Sequence, residues 1–184
     1  TVAATVTLVI ALGSTAAVLD SAFQNTSRTF IQERLQAQAY AILAVTEENA
    51  EGELRVVEAP PDPRMATPGS GLYARFVSDP QGALWSSPSL LGEQIEFRQD
   101  GEPGVPSFSE YQVESGQLLF VLSFPIVWET TNGQQRRYVV QLAEAGTVYR
   151  AQLDAFRQRL FVWFGLAALA TIAAQAWVLN WGLK

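Results

Sequence analysis

Residues 117–129 read QLLFVLSFPIVWE, and residues 137–144 read RYVVQLAE. In the first run, Phe120, Leu122, Phe124, Ile126 and Trp128 recur at every second position, which is the period of a strand with one buried face. The dipeptide Asn132-Gly133 lies between the two runs, and Asn-Gly between apolar runs is a strong hairpin signal. We therefore expect an antiparallel hairpin here, with Pro125 at a bulge or on an edge side of its strand.

Shorter strand signals lie on the N-terminal side of this hairpin. They are residues 53–58, 72–77, 83–85, 95–97 and 111–113. Pro60, Pro61, Pro63 and Pro68 predict a loop between the first two, because proline blocks both helix interiors and ladder bonding. The tetrapeptide Asp79-Pro80-Gln81-Gly82 predicts a turn.

Long helices are predicted at both ends of this strand-forming region. Residues 20–50 contain neither Gly nor Pro, and apolar side chains recur at helical spacing, so we expect one helix continuing to about Glu48. A second helix is expected from Thr147 onward, after Gly146. Helices packed on one face of an antiparallel sheet give an α+β domain.

Two uncharged apolar segments continue these helices towards the chain ends. Residues 1–19 and 160–183 contain no charged side chain, and about 20 such residues span a bilayer as a helix. We expect transmembrane helix 1 at 1–19, an extracytoplasmic domain at 20–159, and transmembrane helix 2 at 160–183. A signal peptide is the alternative for the first segment, although a basic n-region and a cleavage site are not visible. The single lysine, Lys184, places the middle domain outside the cytoplasm.

Composition excludes several function classes. The chain has 18 acidic and 12 basic residues, a balance that does not suit nucleic-acid binding. It has no cysteine and no histidine, so disulfides, thiolate chemistry and histidine-based triads are excluded. No phosphate loop, metal-ligand spacing or nucleophile elbow is present, and we expect no catalytic residues here.

Three sets of residues are candidates for function. Glu47, Glu48 and Glu51 could bind a cation, or they are a solvated helix end. Arg64, Tyr73, Arg75 and Trp85 could line a small ligand cavity, or they serve the core and surface. Thr171, Gln175 and Asn180 are polar residues in the second apolar segment and candidates for a polar joint in signalling. The alternative for Gln175 is a hydrogen bond between helices that only sets their register, and the alternative for Asn180, near the interface, is that it is solvated.

The order of these features resembles the periplasmic sensor region of PhoQ-like membrane-bound histidine kinases. The resemblance covers nearly the whole chain and rests on short motifs in a fixed order. They are residues 31–37 (IQERLQA), Tyr40-Ala41, Asp62-Pro63-Arg64, residues 68–74 (PGSGLYA), Gly82, residues 85–89 (WSSPS), Arg136-Arg137-Tyr138, Tyr149, Gln152-Leu153 and Phe156-Arg157. This chain departs from the family in one respect, because no acidic cluster precedes the strand at 117–129.

The resemblance implies a PAS-like sensor domain, a homodimer in the bacterial inner membrane, and a middle domain in the periplasm. It also implies a cytoplasmic kinase region after Lys184, which would use ATP and Mg²⁺ and act on a response regulator. We expect the chain to be a fragment of that longer protein, itself without a cofactor. The alternative is a membrane-anchored subunit without enzyme activity that holds a periplasmic partner.

Overall fold

The computed structural model describes residues 2–79, 82–97, 101–113 and 116–182. The elements, in chain order, are α1 (Val2–Ala44), β1 (Thr46–Glu48), β2 (Leu54–Val56), a 3-10 turn (Pro63–Ala66), β3 (Leu72–Asp79), β4 (Gly82–Ser86), a second 3-10 turn (Pro88–Leu90), β5 (Ser107–Gln112), β6 (Leu118–Glu129), β7 (Gln135–Ala145) and α2 (Thr147–Gly182). The expected α+β class, with long terminal helices and an antiparallel sheet, is confirmed. The predicted turn at Pro80-Gln81 and the outer ends of the expected spans, Thr1 and Leu183, lie outside the described residues.

The chain divides into two compact units. A helical unit comprises Thr1–Arg28 and Val148–Lys184, and a sheet unit comprises Thr29–Thr147. The boundaries expected from charge, at 19/20 and 159/160, therefore lie within the helical unit. Residues 20–28 and 148–159 thus belong to the same compact unit as the apolar segments.

The sheet unit is built around the predicted hairpin. Five antiparallel strands lie in the order β4-β3-β7-β6-β5, so β7 and β6 occupy inner positions. Gly133 closes the hairpin with a φ of 75°, which glycine adopts without strain. Pro125 pairs with Val139 and lies beyond Ser123, the last β6 residue that pairs with β5. On that side its carbonyl accepts from the Gly104 N–H at 2.8 Å, and its missing N–H interrupts no strand ladder.

One face of the sheet forms the main core with the end of α1. Ile31, Leu35, Ala39 and Ile42 make a buried stripe on the helix. The buried residues on the sheet side of this core are Leu72, Ala74, Phe76, Phe120, Leu122, Tyr138, Val140 and Leu142. The ring of Tyr40 meets that of Phe124 edge-on, with centroids 5.4 Å apart. A helical stripe therefore covers an alternating strand pattern, as the sequence predicted.

The opposite face of the sheet has a smaller core. Tyr73, Leu119, Val121 and Ala143 are buried there, and side chains of the 90–97 segment, including Leu90, Ile95 and Phe97, pack against them. Residues 95–97 form no strand, contrary to the prediction. The apolar residues of this segment pack on a face of the sheet instead of forming an additional edge strand. A short apolar run has the same sequence pattern in either case.

The prediction that α1 continues to about Glu48 was wrong. The helix ends at Ala44, the Thr46 hydroxyl donates to the Ile42 carbonyl, and residues 46–48 form a hairpin with β2. Asn49 accepts hydrogen bonds from the backbone N–H groups of Glu51 and Glu53, and this closes the hairpin turn. Leu54, which pairs with Glu48 in this hairpin, is buried in the core. The helix therefore ends at Ala44 because of tertiary packing, although residues 45–50 contain no Gly or Pro that would break a helix.

We expect Leu35→Ala to lower the free energy of unfolding of the sheet unit by about 2–5 kcal/mol, because it leaves a cavity between α1 and the sheet. Leu35 is fully buried, whereas Leu91 is 78% exposed, so Leu91→Ala is a matched control with an expected effect within about 0.5 kcal/mol. Thermal and denaturant unfolding of the whole chain in detergent, followed by near-UV circular dichroism, measures both. Equal losses for the two variants would contradict the assigned core.

Candidate functional site

A charge network within the sheet unit links α1, β7 and the first 3-10 turn. Glu144 of β7 lies on the core face, with Leu72 and Phe120 as its cross-strand neighbours, and is only 7% exposed. Its Oε2 accepts a hydrogen bond from Arg34 Nη2, and its Oε1 accepts one from Arg64 Nη1 at 3.1 Å. A buried carboxylate without such partners would be strongly destabilising.

Asp62 completes the network and positions Arg64. Its carboxylate caps the 3-10 turn, because Oδ1 accepts from the Arg64 backbone N–H at 2.9 Å. Its Oδ2 accepts from Arg64 Nη2, also at 2.9 Å, and from Gln38 Nε2 of α1 at 3.3 Å. Two carboxylates and two guanidiniums therefore balance in charge where α1, the proline-rich loop and the sheet meet.

The network shifts the ionisation of two of its members. The side-chain hydrogen bond from Arg64 is the main cause that lowers the pKa of Asp62. The same bond is the main cause that raises the pKa of Arg64. Both shifts favour the charged forms, so the network is held as ion pairs at neutral pH.

The four ligand candidates lie on two faces of the sheet. Arg64 reaches Glu144 on the core face, and Trp85 lies opposite Phe76, a residue of that face, in the β3–β4 register. Tyr73 and Arg75 alternate with the core-facing residues of β3 and therefore point to the other face. The described structure does not bring the four into one cavity, and their ligand role remains a prediction.

Two grooves lie beside Tyr111 on that other face. One, of about 370 Å³, is lined by Glu96, Phe97, Ser109, Glu110, Tyr111 and Val121. The second, of about 400 Å³, is lined by Gln94, Ile95, Glu96, Tyr111, Gln112 and Val113. Tyr73 lies nearby in the same core, where its hydroxyl donates to Glu93 Oε1 at 3.3 Å, and burial is the main cause that raises the pKa of this tyrosine.

The three cation candidates differ in their surroundings. Glu48 Oε1 accepts from the Thr131 backbone N–H at 2.8 Å, and Oε2 accepts from the Trp128 indole at 3.4 Å. The bond from Thr131 is the main cause that lowers the pKa of Glu48. Glu47 and Glu51 are exposed. Among the described residues, no three acidic side chains are grouped as the ligands of a metal ion would be.

The three polar candidates of the second apolar segment all lie on α2. The Thr171 hydroxyl donates to the Ala167 carbonyl at 2.8 Å, within the same helix. Gln175 lies one turn further on and is half-buried, whereas Asn180 is exposed. Their part in signalling remains a prediction.

Residues that sequence reasoning did not single out as functional join the two helices of the helical unit. Arg157 of α2 forms a two-point ion pair with Asp20 of α1, with Nε–Oδ1 and Nη2–Oδ2 distances of 2.9 Å. The rings of Phe23 and Phe156 stack beside this pair with centroids 4.2 Å apart. A sequence signal was available, because Asp20 directly follows the uncharged segment 1–19 and Arg157 lies three residues before the segment 160–183. The pairing, however, depends on which helix faces meet, and the sequence does not show this.

Both long helices meet the length and composition required to cross a membrane. The candidate spans are Val6–Ala44 and Tyr149–Val178, and none of their apolar windows is buried within the protein. A core helix of a water-soluble protein would have that window covered by other elements. These two helices expose theirs, as helices that face lipid do.

The pH dependence of stability tests the network. The folded-state pKa of Asp62 lies below its unfolded value of about 3.9, so its ionised carboxylate stabilises the fold above that pH, and this is lost as the pH falls through the folded value. Asp62→Asn should therefore lower the thermal midpoint at pH 7, and its difference from the parent should shrink below about pH 4. The exposed Glu58→Gln is the control, and a constant difference for Asp62→Asn across pH would contradict the prediction.

Comparison with known proteins gives one informative similarity. No family model matches the chain, and no solved structure matches it. The chain is 24% identical over 169 residues to the two-component sensor PhoQ of Pseudomonas aeruginosa strain PAO1. The aligned region covers 90% of this chain and 36% of that protein, so the chain spans about a third of its relative's length. Together with the two apolar helices, this similarity favours a sensor-kinase-like protein of the inner membrane.

Proposed function

We propose that this chain is the extracytoplasmic sensing and transmembrane portion of a two-component sensor histidine kinase. The similarity to the Pseudomonas sensor carries the proposal, because it extends over nine-tenths of the chain. Each of the two long helices exceeds the uncovered tenth in length, so the alignment reaches both helices and the sheet between them. The proposed middle domain is PAS-like and periplasmic. ATP, Mg²⁺ and the response regulator belong to the proposed cytoplasmic region of the parent protein.

The charge network is the proposed point of coupling between the sensor domain and its first helix. Arg34 lies on α1, which continues without a break from Val2 to Ala44. Glu144 is the penultimate residue of the last strand, from which the chain enters α2 at Thr147. A change in the proline-rich loop would act on Glu144 through Arg64. A stimulus shifts such an equilibrium only if it interacts differently with the two helix arrangements.

A second copy of the chain is the proposed partner of the outer face of α1. Phe30 is 62% exposed, and Ala37 and Ala44 are also exposed on that face. Tyr40 is 51% exposed, although its ring also meets that of Phe124. These four residues recur with spacings of seven, three and four, which is the heptad pattern of a helix that packs against another helix. The buried stripe through Leu35 lies on the opposite side of α1, and the outer side also carries the exposed Glu33.

A chimera tests the sensor function. The chain replaces the aligned region of the Pseudomonas sensor, and autophosphorylation is measured in membrane vesicles. We expect an active chimera whose basal rate changes about fivefold with Glu144→Gln, since a bias of about 1 kcal/mol between two arrangements has that effect. The exposed Glu129→Gln is the matched control and should leave the rate unchanged. A chimera that inserts into the membrane but lacks autophosphorylation, while the intact sensor has it, would contradict the proposal.

Cysteine crosslinking tests the dimer and its location, and the chain has no native cysteine to interfere. Ala37→Cys should form a disulfide-linked dimer in membranes, whereas Ala83→Cys, at an exposed position on β4, should not. In separate samples, reduced and then freed of reductant, both thiols should react with a membrane-impermeant maleimide added to cells with a permeabilised outer membrane. Absence of the disulfide-linked Ala37→Cys dimer would contradict the proposed contact between the outer faces of two α1 helices. Failure of both thiols to react with the maleimide would contradict a periplasmic domain.

A further inference from the structure

The helical unit contains a half-open cavity between α1 and α2. Its volume is about 510 Å³, within the ~300–1,000 Å³ that small-molecule sites occupy. Gly13, Ala16 and Ala17 line it from α1, and Leu160 and Phe161 line it from α2. These walls are apolar and lie within the candidate spans, where water is not available to fill a gap. An empty gap would forfeit dispersion contacts along both helices.

One end of this cavity is polar and carries both signs of charge. Asp20 and Arg157 form its wall there, as the two-point ion pair described above. That pairing uses Nε and Nη2 of the guanidinium, so Nη1 is the nitrogen that Asp20 does not engage. Asp20 accepts three hydrogen bonds, the third from Gln24 Nε2, of the roughly four that a carboxylate can accept. Three guanidinium N–H groups, two of them on Nη1, and one acceptor position on Asp20 therefore remain on a pair with no net charge.

We propose that this cavity binds phosphatidylethanolamine. One acyl chain lies between the helices among Ala16, Ala17 and Phe161, where the walls are apolar. The phosphate accepts a hydrogen bond from Arg157 Nη1, and the primary ammonium donates to Asp20. The side chains of Arg157 and Asp20 are 42% and 25% exposed, so a headgroup can reach both.

The chemistry of the polar end selects this headgroup over others. A neutral ion pair offers no net attraction to an anionic lipid such as phosphatidylglycerol, which also has no cation for Asp20. Phosphatidylcholine has a cation but no N–H to donate, because its ammonium is fully methylated. A headgroup that has both a phosphate and a primary ammonium can accept from Arg157 Nη1 and donate to Asp20. Such charge-assisted hydrogen bonds are stronger than hydrogen bonds between neutral groups. This inference does not depend on the proposed kinase function.

Native mass spectrometry of the whole purified chain in detergent tests the proposal. Phosphatidylethanolamine, phosphatidylglycerol and phosphatidylcholine with identical acyl chains are titrated separately. We expect phosphatidylethanolamine to bind about tenfold more tightly than the other two, the effect of one hydrogen bond to a charged group. Equal affinity for all three, tighter binding of phosphatidylglycerol, or a lipid-free dimer as the dominant species would overturn the proposal.

Two variants locate the site. Ala16→Leu should fill the cavity and reduce phosphatidylethanolamine binding about tenfold or more, whereas Ala170→Leu, at an exposed position on α2 away from the cavity, should not. Asp20→Asn should abolish the preference for phosphatidylethanolamine over phosphatidylcholine while leaving the acyl-chain slot. Circular dichroism checks that each variant retains its helices. Unchanged binding by Ala16→Leu, or an unchanged preference in Asp20→Asn, would place the lipid elsewhere and overturn the assignment.

Discussion

The carboxylate of Glu144 is the constraint on which the sheet unit depends. It is buried on the core face of β7 among apolar neighbours, and a charge in that position is tolerated only with partners. The partners are Arg34 from α1 and Arg64 from the proline-rich loop, each on a different oxygen. The Glu144 carboxylate therefore holds together α1, the proline-rich loop and β7, which are distant in sequence. Their relative position cannot change without exposing or leaving unpaired at least one charge.

A similar arrangement, on a smaller scale, occurs in the helical unit. There Asp20 and Arg157 join α1 to α2, and the stacked rings of Phe23 and Phe156 lie beside them. In each unit a short polar contact holds a helix against its neighbour, and apolar packing surrounds that contact. This combination suits a protein in which helices transmit position, because polar pairs fix register while apolar surfaces permit more than one arrangement.

Much of the fold followed from local sequence. The hairpin of β6 and β7 and the two long helices were predicted from periodicity and from turn residues. Strands predicted at residues 53–58, 72–77 and 83–85 correspond to β2, β3 and β4. Two predictions were wrong for the same reason. Residues 45–48 and 95–97 are short segments whose structure is determined by what they pack against, namely a tertiary hairpin and a sheet face. Local preference in such segments is weak, and burial of Leu54 or Ile95 outweighs it.

The candidate site was less accessible to sequence reasoning than the fold. Arg64 was identified because it stands out in a proline-rich loop, but nothing in its neighbourhood indicates that it meets Glu144, 80 residues later. The sequence by itself determined the apolar helices, the strand pattern and the exclusion of histidine and cysteine chemistry, because these depend on residue type and spacing. Only the tertiary structure decided which charges pair, since ion pairing requires that two side chains share a location, and distance along the chain carries no information about that.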